Sequence, residues 1–176
     1  MNNEQAIWTL AAEGGIAALT IERLAKETGQ NTIELGYLYP DPAFMVLVLI
    51  EEIHNQTMQT LLPSTLSTQD RLTDVVMAHL DACLVHKKSI QRLWRDLVSM
   101  PLTLLTLRPH LMQMVARILK ECGVEDDGLL APIRLRAYFA LFLYVLYVWI
   151  HDETPQQEHT LVSLDRGLKQ LGDMPW

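Results

Sequence analysis

TIERLAKETGQNTIELGYLYPDPAFM, residues Thr20 to Met45, has the layout of two short helices joined by a tight turn. Ile21, Leu24 and Ala25 occupy the i, i+3, i+4 positions of one apolar stripe, which predicts a helix over Thr20–Thr28. Gly29 follows, where a chain leaving a helix commonly turns left-handed. Asn31 can cap the free amides of a second helix, with Glu34 three residues on as its capping-box partner. That helix must end near Pro40, because Pro40 and Pro42 push the residues before them out of the helical region. A helix-turn-helix of this kind is the unit that some proteins lay into the DNA major groove.

Upstream, Glu4–Glu13 reads as a first helix with Ile7, Trp8, Leu10 and Ala11 apolar, ended by Gly14-Gly15. Downstream, Pro42 suits the first turn of a fourth helix running to about Leu62, and its apolar run Phe44–Ile50 calls for cover on all sides. Pro63 with Ser64, Thr65, Ser67 and Thr68 reads as a loop and a subdomain boundary. Ser67 with Asp70 caps a fifth helix through Leu84; a sixth runs from Ser89 to Met100, closed by Pro101. A seventh spans about Pro109–Cys122, and Gly123–Gly128 is an acidic loop. Ala131–Ile150 is the most apolar helix, and the last, about Gln156–Leu171, aligns Leu161, Leu164, Leu168 and Leu171 on one seam. No alternating run argues for a strand, and no segment repeats. The expectation is an all-α chain of about nine helices, with a helix-turn-helix subdomain over 1–50 and a bundle over 51–176.

Composition narrows the class. Of 176 residues 49% are apolar, with only 8 Gly and 8 Pro, which argues against disorder and against a turn-rich β protein. Two cysteines, Cys83 and Cys122, do not make a secreted disulfide framework, so a reducing cytoplasm fits. The N-terminus lacks a basic region followed by an apolar core, so no signal peptide is expected. The longest uncharged apolar run, Ala137–Ile150, has 14 residues, short of the ~20 of a membrane helix, and reads as a buried helix. Net charge is −7, and residues 1–62 hold −6 of it: Arg23 and Lys26 stand against Glu4, Glu13, Glu22, Glu27, Glu34, Asp41, Glu51 and Glu52. That is the wrong sign for phosphate.

Chemistry-bearing motifs are few. The sequence has no Gly-rich phosphate loop, nucleophile elbow or paired-carboxylate motif, so neither an enzyme nor a cofactor is expected. His79, Cys83 and His86 share a helix face at i, i+4, i+7, with Cys122 as a fourth ligand, a spacing that suits zinc or copper. A half-buried face with a small apolar Cys explains them as well, and no metal is assigned. Lys87-Lys88 with Arg92 and Arg95 reads as a solvated helix face, with contact to an anionic lipid surface as the alternative.

Gly15, Thr20, Leu24-Ala25, Gly29, Leu35 and Tyr39-Pro40, followed by an apolar helix, resemble the N-terminal part of the TetR family of regulators over about residues 4–52. Trp149, Asp152, Thr154, Thr160 and Leu164-Asp165-Arg166 resemble a W-x-x-D-x-S/T…T…L-D-R pattern. It occurs in a TetR subgroup and in the TetR-fold, lipid-binding proteins of ubiquinone biosynthesis. The resemblance implies a ligand-responsive repressor that binds double-stranded DNA as a homodimer, or else a lipid- or isoprenoid-binding relative without DNA readout. At a position where the family usually has a phosphate-contacting tyrosine this chain has Gly36, and where it usually has a lysine after the recognition helix, Pro42. The side chains left for DNA are Thr20, Arg23, Lys26, Gln30, Asn31, Thr32 and Tyr37, while Glu34 either accepts from a cytosine amino group or completes Asn31's capping box. The fold also implies an apolar ligand pocket, for which Trp94, Met100, Met114, Tyr138, Phe142 and Trp149 are the candidates, each of which would serve equally as core filling. Dimerisation through the last two helices would use Leu146, Ile150, Leu161, Leu164 and Leu168, with Asp152 and Arg166 as a salt bridge fixing their corner.

Overall fold

The computed structural model describes residues 1–60, 66–124 and 127–174, the side chain of Thr60 excepted. Among these residues nine α-helices and two short 3₁₀ turns form, with no strand. The expected Pro63-Ser64-Thr65 loop and the acidic pair at 125–126 lie outside the described residues.

The helices divide between two compact units, Met1–Gln56 with Cys83–His110, and Thr57–Ala82 with Leu111–Trp176. These units cut across the 1–50 and 51–176 division read from the sequence. Residues 83–110 belong with the N-terminal helices because of how the first helix ends. α1 (Asn3–Gly14) starts at Asn2, whose side chain accepts from Gln5 N at 2.9 Å. It buries Ala6, Ile7, Leu10 and Ala11 and stops at Gly15, where φ is +63°. A stopped helix leaves carbonyls without amide partners. Here Arg92 of α6 (Lys87–Val98) donates to Ala12 O at 2.9 Å and Glu13 O at 2.6 Å. One turn further along α6, Asp96 accepts from Ile16 N at 2.9 Å. A Cβ on Gly15 would stand 1.9 Å from that carboxylate, so α6 can reach α1 only over a bare glycine.

The same unit carries α2 (Ile21–Thr28), packed on α1, and α3 (Thr32–Leu38), packed on α2. Trp8 adds a second tie: its Nε1 donates to Glu52 at 2.9 Å, and its ring stacks on His86 with centroids 3.9 Å apart. Glu52 lies on α4 (Pro42–Thr60), where Ala43, Met45, Val46, Leu47, Leu49 and Ile53 are buried, close to the enclosure its composition called for.

In the second unit, α5 (Thr68–Cys83) opens on the predicted capping box: Ser67 Oγ accepts from Asp70 N at 3.2 Å and donates to the Asp70 carboxylate at 2.6 Å. Arg71 donates to Glu121 O at the end of α7 (Pro101–Glu121). α7 begins eight residues before the expected Pro109, which lies inside it. Proline at an interior position removes one backbone bond, typically at a cost of about 3 kcal/mol. The carbonyl left over belongs to exposed Leu105, where water can take it.

α8 (Ala131–His151) and α9 (Glu158–Gly172) pack tightly enough that a Cβ on Gly167 would stand 2.1 Å from Leu141 Cδ1. At 21 residues α8 is long and apolar enough to cross a membrane, contrary to the 14-residue count, because the charged run that limits the count starts only at its first turns. Val145, Trp149 and Ile150 nevertheless face the chain's own core, as do Leu164, Leu168 and Leu171 of α9.

Gly15→Ala should destabilise the protein by about 1–3 kcal/mol, through its left-handed φ and through the collision with Asp96. Urea unfolding of the two proteins checks this, and the midpoint should fall with an unchanged slope.

Candidate functional site

The helix-turn-helix forms as its spacing predicts. Thr20 caps α2, accepting from Arg23 N at 3.3 Å, and Gly29 ends it at φ 72°, ψ 13°. Asn31 caps α3, accepting from Ile33 N at 2.8 Å, and Leu24 and Leu35 are fully buried between the helices. The capping box is one-sided: among the described residues Glu34, which is exposed, makes no return bond to Asn31.

The seven side chains proposed for DNA fall into two groups. Thr20 and Asn31 are occupied as caps. Gln30 donates to Asn3 at 2.8 Å, and Arg23 donates to Glu13 at 2.5 Å in an ion pair with both side chains about half exposed. Lys26, Thr32 and Tyr37 are exposed. The outward face of α3 is mostly apolar: Tyr37 is 84% exposed, Ile33 67% and Leu38 59%, with Glu34 its one charged member. Tyr37 is outside, as a DNA contact would have to be, whereas nothing in the sequence signals that Ile33 and Leu38 join it, because α3 is too short for its pattern to settle its rotation.

The six pocket candidates do not share one unit. Trp94 and Met100 belong to the first, where Met100 is exposed; Met114, Tyr138, Phe142 and Trp149 belong to the second. Tyr138 and Phe142 meet edge-tilted with centroids 6.2 Å apart, and burial pushes the Tyr138 hydroxyl up. Of the dimer candidates, Ile150, Leu164 and Leu168 are buried within the chain, Leu146 is half-buried and Leu161 is exposed. Tyr144, Tyr147 and Val162 are exposed on the same two helices. Tyr144 and Tyr147 lie opposite Tyr138, Val145 and Trp149 on α8, a separation readable from 100° per residue once the buried face is known.

His79 Nδ1 lies 2.8 Å from Val75 O on its own helix, and His86 is the residue stacked on Trp8. Burial pushes the Cys83 thiol up to about 12, which leaves it a neutral thiol at physiological pH.

The corner between α8 and α9 is the best-built polar cluster among the described residues, and it corrects the sequence reading. Asp152 is 3% exposed and accepts four hydrogen bonds. Thr154 N and Oγ1 donate to Oδ1 at 3.0 and 2.6 Å; Thr160 N and Oγ1 donate to Oδ2 at 2.9 and 2.7 Å. No ion pair with Arg166 forms among the described residues: both carboxylate oxygens are engaged, and Arg166 is exposed on α9. The D-x-T…T spacing is therefore a helix-corner clamp. Burial alone raises the Asp152 pKa, but the four donors together hold its carboxyl well below the usual carboxylate range.

These features define an all-α protein with an N-terminal helix-turn-helix and an apolar helical half. No family model matches the sequence, and no curated protein matches it. Among solved structures, a TetR transcriptional regulator from Nitrosomonas europaea ATCC 19718 has a TM-score of 0.72 at 14% identity, covering 99% of this chain and 100% of that one. A TetR transcriptional regulator from Rhodococcus sp. RHA1 has a TM-score of 0.71 at 14% identity, covering 98% and 94%. The chain has the TetR fold over its whole length.

Because the folded pKa of Asp152 lies below its unfolded value of about 3.9, its stabilisation is complete above that pH and is lost as pH falls through the folded value. Asp152→Ala should cost about 3 kcal/mol at pH 7, with the threonine donors left unpaired. Thermal unfolding from pH 7 down to pH 2 should show the wild type losing part of its advantage over the variant only below about pH 4.

Proposed function

We propose that this chain is a transcriptional regulator that reads double-stranded DNA as a homodimer in the cytoplasm. The observation that carries this is the intact helix-turn-helix, closed over Leu24 and Leu35, within a fold shared end to end with two TetR transcriptional regulators. Lys26, Thr32 and Tyr37 are exposed and would meet the duplex first, with Thr20, Gln30 and Asn31 lining the turn. A protein of this kind is a binder rather than a catalyst.

The dimer would form across α8 and α9. Only 22% of the most apolar stretch of α8 is buried inside the chain, and Tyr144, Tyr147, Leu161 and Val162 supply exposed apolar surface for a second copy. A small apolar ligand or lipid in the bundle, against Met114, Tyr138, Phe142 and Trp149, would favour one dimer state over the other. Its effect on DNA affinity is then bounded by its differential affinity for the two states.

A second reading is a lipid- or isoprenoid-binding TetR-fold protein without DNA readout. The apolar outward face of α3, with Glu34 its one charge, favours it. Counterion release by Lys and Arg supplies most non-specific DNA affinity, and this face offers neither.

A regulator should bind random duplex DNA with an affinity that falls linearly in log–log form as salt rises. No retention near 50 mM salt removes the regulator, and co-purified isoprenoid in a lipid extract, read by mass spectrometry, then establishes the second reading. Leu161→Glu with Val162→Glu should shift the protein from twice the chain mass to the single-chain mass in sedimentation equilibrium, with the helical circular dichroism kept.

A further inference from the structure

We propose that Glu13 is a latch on the helix-turn-helix, holding the Arg23 guanidinium away from nucleic-acid phosphate. The proposal rests on the DNA-reading function above and names how that site is restrained. Residues 1–62 contain only two cations, Arg23 and Lys26, so engaging one removes half of the positive charge available there. Arg23 Nη2 meets Glu13 Oε2 at 2.5 Å.

Two further features support the pair. Glu13 is the penultimate residue of α1, so the guanidinium also sits at the negative end of that helix. Arg92 of α6 donates to the carbonyls of Glu13 and Ala12, and Asp96 accepts from Ile16 N. The backbone that carries the carboxylate is thus tied to a second helix. An exposed pair of this type is worth little in free energy, so the latch restrains Arg23 without locking it. Phosphate must compete with a carboxylate already in place.

Two measurements on the full chain test this. Without DNA, the Arg23 guanidinium should show slow rotation about its Cζ bonds by NMR in the wild type and faster rotation in Glu13→Gln; free rotation in the wild type overturns the latch. With random duplex DNA, Glu13→Gln should bind about two- to fivefold more tightly per subunit. Its log–log salt slope should steepen by about 0.9 per subunit, the value of one new phosphate contact. Adding Arg23→Gln should abolish the gain. Glu22→Gln removes the same charge from an exposed α2 residue without freeing Arg23, and an equal gain there reduces the effect to net charge and overturns the latch. If no variant binds duplex while Arg23 is still held in the wild type, the regulator reading fails and the latch loses its function, although the ion pair stands.

Discussion

The end of α1 governs the N-terminal half of this molecule. Helix termination leaves carbonyls that must find donors, and burial of the neighbouring Ile16 leaves an amide that must find an acceptor. Arg92 and Asp96, four residues apart on one face of α6, meet both needs. They do so only because Gly15 lacks a side chain and tolerates a positive φ. A segment some eighty residues away thereby becomes part of the helix-turn-helix unit, and the stack of His86 on Trp8 extends the same seam.

Polar satisfaction organises the other half too, here around a buried charge. At the α8–α9 corner the buried charge is an anion, and two threonines supply both backbone and hydroxyl donors to it. Such a carboxylate would be costly to bury alone, and with four donors it fixes the corner. The close approach of Gly167 to Leu141 follows from that geometry, and the leucines of α9 are drawn into the chain's own core. Tyr144, Tyr147, Leu161 and Val162 remain exposed on these two helices.

The N-terminal unit combines a well-formed helix-turn-helix with polar side chains that are mostly engaged by one another. Thr20 and Asn31 cap helices, Gln30 meets Asn3, and Arg23 meets Glu13. Scaffold and surface thus carry different information. The first follows from apolar spacing and turn chemistry; the second depends on which polar groups find each other first.

Local rules sufficed wherever neighbours in the chain decided the outcome. The caps at Asn31 and Ser67, the left-handed Gly29 and the apolar stripe that buries Leu24 were legible because each involves residues within about one helical turn. Pro109 was misread because a proline's cost depends on whether water reaches the stranded carbonyl, which is a matter of exposure. Asp152 was assigned to Arg166 because charge alone suggests ion pairs, whereas hydroxyl and amide donors compete only once their positions are known. The sequence by itself determined an all-α chain, its helix-turn-helix and its apolar C-terminal helices, since periodicity and capping are properties of the local chain. The tertiary structure alone decided that α6 belongs with α1, that Glu13 holds Arg23 and that Ile150, Leu164 and Leu168 face inward. Those outcomes follow from long-range contacts, which no local pattern encodes.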